Sequence, residues 1–528
     1  MEKSGPKETT RRVFIRNLAS TALAGLAASS CSSGKKEKAK VDSKNQVPDK
    51  TKSTVDGSEK SIKELLRSQE ALFRPTGNGC TVQWVPRGKV EARIFKGDDP
   101  GNLTLHREIT TAKPAGTIVD GFKPGSEFYL QCQFREAGTK KWKVQPVRHV
   151  RTKRKQGETY RVAMIADSHH YSCIRDKKRM DNLAATSRAV IEAEPDFAIF
   201  LGDEAGVYYL KDRRGYMNQK RAFKRWESWR NAFAPLLGSM PSFMTLGNHE
   251  GEAGFYRQLS GGRRKKFLQR WGTIARKRYF LNPLPDTYPE GGENENWAGS
   301  PDSPATGGAK QGNRSPLQNY YAWTWGDALF AVLDVHRYTN IGGKEPKSVD
   351  EWTLGKAQLG WLEKVLMSSR AKWKVVIAHH LVGGSSWNLT GKKQKTRYVY
   401  GRGGARYATI GEQAAVTKIM NRAGAQFFMY GHDHVFSHQY SGNIHFICCG
   451  RPTYLTPGWW KYPGWKEAYG NADKRNPNDF YAALGYTRLT ISPDSFGIEY
   501  IRTCEDAGKS ENIDTKVGGS VFSLTVQA

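Results

Sequence analysis

Five short apolar runs each end in a knot of polar, metal-capable side chains, and no other feature of this chain narrows its fold and chemistry so far. The runs are YRVAMIAD (160–167), DFAIFLGD (196–203), SFMTLGNHE (242–250), WKVVIAHH (373–380) and FFMYGHDH (427–434). Together with LFAVLDV (329–335) they alternate with amphipathic stretches at 178–194, 222–237, 355–369 and 411–423. Apolar strands alternating with helices imply α/β architecture, sheets covered by helices on their outer faces. In such sheets ligands gather beyond the carboxyl ends of the strands, so the five knots are expected to converge. Seven of the twelve histidines lie in these runs or within three residues of their ends.

The spacings carry a mechanical expectation. Residues i and i+2 of a strand point the same way, so Asp167 and His169, or His432 and His434, can enter one site from one strand end. Glycine precedes Asp203, Asn248 and His432, where the absence of a Cβ permits close backbone approach. Carboxylate oxygen and imidazole nitrogen without thiolate suit Mn, Fe, Zn, Co or Ni. The seven cysteines include no CxxC pair, which argues against a structural zinc module.

The blocks D-x-H, GD, GNH[DE], H and GHxH, in this order, resemble the calcineurin-like metallophosphoesterase superfamily over about 345 residues. The resemblance implies β-sandwich core sheets flanked by helices, and a two-metal centre that hydrolyses phosphate esters through a hydroxide held between the metals and attacking in line. Carried across, Asp167, His169 and His434 hold metal one; Asn248, His379 and His432 hold metal two; Asp203 bridges them. His249 is the implied catalytic acid. His170 and His380, second in their pairs, are open between substrate contact and packing. His106, His149, His336, His438 and His445 are assigned packing roles.

Ahead of these blocks, residues 61–155 read as short alternating strands, among them CTVQWVP (80–86), VEARIFKG (90–97) and FYLQCQF (128–134). Inward faces of that kind form a small sandwich. VDGFKPGSEFYLQC resembles the corner of a fibronectin type III domain, with Phe128 where that family has Tyr. A sandwich before the catalytic domain resembles purple acid phosphatases, with two departures: Gly206 stands where that family has its metal-binding tyrosine, and His169 is additional. Tyr208 and Tyr209 are two residues out of step. Purple iron–tyrosinate chemistry is therefore not expected. Cys80 and Cys132 are the expected disulfide, with two buried thiols as the alternative.

The first residues read as an address. Arg11–Arg12, then an uncharged Ala/Gly/Ser-rich run from Asn17 to Gly34, resemble a twin-arginine export signal. Cys31 after Ala28-Ser29-Ser30 resembles a lipidation site, against plain cleavage near 27–30. The expected organisation is signal 1–31, charged linker 32–60, sandwich 61–155, catalytic domain 156–504 and C-terminal tail 505–528. A bacterial envelope location follows, periplasmic or anchored through a lipidated N-terminus, with the twin-arginine machinery as partner.

The formal net charge is +31, and residues 1–60 contribute thirteen Lys/Arg against seven Asp/Glu, so most of the excess lies on the folded part. Such a surface steers anionic substrates, small or polymeric, although no dominant basic block marks a specific nucleic-acid partner. The rim segment 383–407 carries Arg397, Arg402 and Arg406 interleaved with Tyr398, Tyr400 and Tyr407, and is the expected substrate-selecting loop together with His380. The leading function is hydrolysis of phosphate monoesters or diesters. The alternatives are a nuclease or phosphodiesterase acting on polyanions, and a surface-anchored binding protein with a vestigial catalytic domain.

Overall fold

The computed structural model describes residues 61–207, 211–212, 215–250, 268–283, 320–334, 354–380, 411–455, 480–506 and 513–528. Two sheets face each other and helices cover their outer sides. In the first, the strands Tyr160–Ile165, Phe197–Phe200 and Ser242–Met244 run parallel, and Leu484–Ile491, Ser495–Cys504 and Ser520–Gln527 extend it antiparallel. In the second, Ala328–Val332, Trp373–Ile377, Phe427–Tyr430 and Ile444–Cys448 are parallel neighbours.

The period-2 pattern divides these strands between two interiors. Val162, Met164, Phe197 and Ile199 meet Phe330, Val375, Ile377, Phe427 and Met429 between the sheets, where Phe243 stacks on Trp323 with centroids 3.9 Å apart. Ala163, Ile165, Ala198 and Phe200 point outward onto the helices Lys177–Glu192 and Gln219–Ala232. Val376, Phe428 and Tyr430 do the same under Gly355–Ser368 and Gly411–Arg422. Both faces are covered, so the strands read as unbroken apolar runs rather than alternating ones. Each of the first two helices starts at a polar cap: Asp176 accepts from the Arg179 N–H and Asn218 from the Arg221 N–H. The helix Leu268–Tyr279 was not among the expected elements.

Residues 61–155 contribute a second sandwich. Leu72, Cys80, Val82 and Trp84 pack against Ile94, Phe128, Leu130, Cys132 and Phe134. Its organisation differs from that of a free-standing module. The strand Leu66–Phe73 pairs in parallel with Ser242–Met244, so Leu66–Phe73, Cys80–Pro86 and Ala115–Val119 complete a nine-stranded sheet shared with the catalytic part. This strand buries both faces, Leu72 in the sandwich and Ala71 and Phe73 under the helices. Arg230 fastens the junction by donating to Gln83 Oε1 and to the carbonyls of Gln69, Gln83 and Tyr279.

Two expectations are corrected. Cys80 and Cys132 are both free, fully buried thiols. They stand on strands of opposite sheets of the sandwich and pack as thiols within one apolar core. The stretch expected as a tail, 505–528, instead ends in the strand Ser520–Gln527, which pairs with Ser495–Cys504. Val521, Phe522, Leu524 and Val526 pack against the inter-sheet core.

Candidate metal centre

Parallel strands deliver their carboxyl ends to one edge, and the five knots meet there. The means differs from the pleat expected of i, i+2 pairs. The first strand has ended at Ile165, and the chain then kinks: Asp167, His169, Asp203, His432 and His434 all have φ between 44° and 69°. Left-handed backbone at non-glycine residues is uncommon and costs roughly 1–3 kcal/mol each. Strain at five residues of one site shows that the surrounding fold holds these side chains where isolated peptides would not.

The side chains form two groups that share one member. Ligand atoms of Asp167, His169, Asp203 and His434 lie within 4.8 Å of one another, as do those of Asp203, His379 and His432. In the first group His169 Nε2 is 3.0 Å from His434 Nε2 and 3.6 Å from both Asp167 Oδ1 and Asp203 Oδ2. In the second, His379 Nε2 is 3.2 Å from Asp203 Oδ2, 3.1 Å from His432 Nδ1 and 3.1 Å from Asn248 Oδ1. Asp203 Oδ2 therefore faces both groups. Asp167 Oδ1 and Asp203 Oδ2 are buried and accept no hydrogen bond. Buried carboxylate oxygens converging with imidazole nitrogens at 3.2–3.6 Å fit the donor set of a divalent transition metal.

The backbone is clamped around these groups. Glu250, fully buried, accepts from the N–H groups of Asp203, Glu204, Ala205 and Gly247. Asp203 Oδ1 accepts from the His249 N–H and Asp167 Oδ2 from the His432 N–H. A Cβ on Gly247 would fall 2.3 Å from Asp203 N and Oδ1, so only glycine allows this approach. His379 Nδ1 meets the Leu201 carbonyl at 2.7 Å, which directs Nε2 inward.

The local electrostatics follow from this crowding. Burial alone would raise the Asp167 and Asp203 carboxyls, yet the imidazoles around them hold both well below the usual carboxylate range. Burial opposes charging of His379, but the Asp203 carboxylate outweighs it and pushes the group up to about 10. His249 is pushed down to about 3, chiefly by burial. Glu250 rises to about 7 through burial and the Asp203 charge.

All seven expected ligand residues come together at this edge. His249 joins them, with Nε2 3.6 Å from Asp203 Oδ2. His380 is buried beside His432, ring centroids 5.3 Å apart, and His170 is buried at the start of the short helix His170–Cys173. Arg397, Arg402 and Arg406, along with Arg11, Arg12 and Cys31, lie outside the described residues. Three contributors were not anticipated: Glu250, Tyr171, and Arg451, whose Nη1 lies 2.9 Å from His434 Nδ1. The GNHE block held the signal for Glu250; nothing local marks the other two.

Residues 160–436, more than half of the chain, match the calcineurin-like phosphoesterase family. The chain belongs to the calcineurin-like phosphoesterases. Two solved structures share the fold. PhoD aligns at 14% identity and TM-score 0.55, covering 88% of this chain and 89% of its own. The purple acid phosphatase PPD1 from yellow lupin (Lupinus luteus) seeds aligns at 14% identity and TM-score 0.51, covering 87% and 74%. No curated protein matches the sequence. As a calcineurin-like phosphoesterase the chain is a metal-dependent phosphoester hydrolase with a purple acid phosphatase-like arrangement.

Proposed function

We propose that this enzyme is an exported phosphoesterase with two metal ions, acting on phosphate monoesters or diesters outside the cytoplasm. Asp167, His169 and His434 would hold one ion and Asn248, His379 and His432 the other, with Asp203 between them. The observation that carries this reading is the single Asp203 oxygen lying 3.2 Å from His379 Nε2 on one side and 3.6 Å from His169 Nε2 on the other. Bound there, Mn, Fe, Zn, Co or Ni would supply an activated water and neutralise the phosphoryl oxygens. Only two of the seven ligands are carboxylates, so the loaded site keeps positive charge for an anionic substrate. The protein's part is to orient. His249 Nε2 faces the same space as Asp203 Oδ2 and is placed to give a proton to the departing ester oxygen. The helix-and-sheet walls around the edge exclude bulk water from the buried carboxylates.

The net charge of +31 supports a second reading in which the ester belongs to a polyanion. Hydrolysis of a panel of monoesters, diesters and single-stranded nucleic acid, before and after metal stripping, separates the two. Turnover of small esters that vanishes on stripping and returns on reloading is expected; exclusive turnover of the polymer would establish the second reading, and no turnover at all would refute both.

Export rests on the Arg11–Arg12 pair and the uncharged run after it. A precursor in which both become Lys should stay in the cytoplasm. Normal export of that variant would remove the twin-arginine assignment. Unchanged membrane partitioning of Cys31→Ser would remove the anchor.

A further inference from the structure

We propose that Tyr171 is the positioning residue of the site, a hydroxyl that orients His249 and the ligand His169 together, without being a metal ligand. The inference rests on the functional reading above and assigns a role to a side chain that no motif includes.

The first observation concerns space. Gly206 has φ +65°, and a Cβ built on it would lie 1.8 Å from Tyr171 Cδ1 and 2.1 Å from Cγ. The volume that a side chain at 206 would enter is thus filled by the Tyr171 ring. Position 206 is where the purple acid phosphatase pattern puts its tyrosine. Here an aromatic ring occupies the same neighbourhood, supplied by the turn after His169.

The second observation concerns the hydroxyl. Tyr171 Oη lies 3.0 Å from His169 Nδ1 and 2.5 Å from His249 Nδ1. One oxygen therefore touches the same nitrogen of both rings, whose centroids are 4.7 Å apart at 76°. Holding Nδ1 of each ring fixes Nε2 of each on the inner side, where both lie 3.6 Å from Asp203 Oδ2. A phenol has one proton to donate and lone pairs to accept with. It can accept from an Nδ1–H or donate to a bare Nδ1, so it holds His249 in either state without moving. A carboxylate could only accept.

The third observation separates positioning from ligation. His169 presents Nε2 to the ligand group, and Oη sits on its Nδ1, across the ring from that group. The phenol stands behind a ligand, not among the ligands. Partners in that place hold a metal-binding imidazole in register, and losing one typically costs 10–100-fold in metal affinity or activity.

The test is Tyr171→Phe in the full metal-loaded enzyme, which keeps the ring in the Gly206 space and deletes only the oxygen. The expected result is a kcat about 10–100-fold lower on an alkyl phosphate ester, with KM changed little and metal content at saturating metal unchanged. The loss should shrink several-fold on a nitrophenyl ester, whose leaving group needs no proton. The iron-loaded wild type should lack a tyrosinate-to-iron absorption band. Gly206→Ala, which must expel the ring, should reproduce the leaving-group dependence, and thermal melting verifies that both variants fold. An unchanged kcat in Tyr171→Phe, or equal losses for both esters, would overturn the proposal. So would a visible band in the iron-loaded wild type that disappears in Tyr171→Phe, which would make the residue a ligand. A wild type that hydrolyses neither ester fails the functional reading itself, whereas an active wild type with an indifferent Tyr171→Phe fails the positioning role alone.

Discussion

The sandwich of residues 61–155 and the carboxyl edge of the catalytic sheets each enclose buried side chains, yet their interiors are filled in opposite ways. Inside the sandwich the apolar cluster holds Trp84, Ile94, Phe128, Leu130 and Phe134 with the thiols of Cys80 and Cys132. Among its described residues, Arg74 alone of the non-glycines has left-handed backbone. At the catalytic edge, Asp167, Asp203 and His379 are buried as deeply, and five of the seven candidate ligand residues carry left-handed φ. Apolar burial stabilises the first region at about 25 cal/mol per Å². The second combines backbone strain with polar atoms that accept no hydrogen bond, each unfavourable by itself. The difference teaches where stability resides and where it is given up: the fold is held together elsewhere so that this edge can present unsatisfied ligands.

Substitutions should divide along the same line. Asp203→Asn should have the largest effect, a loss of activity of several powers of ten with reduced metal content, because its oxygen serves both ligand groups. Near-normal turnover with full metal would erase the contrast between the regions. His249→Ala should leave metal bound and lower turnover roughly 10²–10⁴-fold on esters with basic leaving groups, and less on acidic ones. Equal losses on all leaving groups would recast it as a phosphate-positioning residue.

Trp84→Ala tests the other side of the comparison. Its ring meets Phe134 edge-on at 5.6 Å in the sandwich core, so the expected cost is about 3–5 kcal/mol of stability. Turnover and metal content of the folded protein should be unaffected, read by calorimetry beside activity assays. Metal loss below the melting transition would show that the shared nine-stranded sheet transmits packing defects to the site.

The smallest effect is expected from His438, remote from the ligands. Its Nε2 lies 3.0 Å from His445 Nδ1, and burial pushes both rings down to about 4. The folded pKa lies below the unfolded value of about 6.5, so the unfolded chain binds protons first as pH falls. The stability associated with the neutral pair is fully present above about pH 6.5 and is lost progressively towards pH 4. Replacing His438 with Gln should flatten the pH dependence of melting in that window, and an unchanged slope would contradict the assignment.

What the sequence made legible follows from how local each feature is. The seven candidate ligand residues sit in short blocks at strand ends, and hydrophobic runs between turn signals locate those ends. The blocks' convergence needs only parallel strands. Tyr171 is not legible because the chain leaves strand geometry after Ile165, and its hydroxyl reaches His249 across 78 positions. Arg451 meets His434 by way of an intervening hairpin. The strand Ser520–Gln527 shows only a half-buried alternation, which a solvated tail can imitate. The pairing of Phe73 with Ser242 depends on sheet register between segments far apart in the chain. Cys80 and Cys132 share one apolar core, and a sequence pattern reads the same for two buried thiols there as for a bridge.

The central claim is that one carboxylate, Asp203, joins two ligand groups into a two-metal centre. Elemental analysis of the purified, saturated enzyme tests it most directly, with hydrolysis of a small phosphate ester followed as metal is titrated back into the stripped protein. The account predicts two metal ions per chain and activity that appears only as the second site fills. A single ion giving full activity, or activity indifferent to stripping, would contradict it.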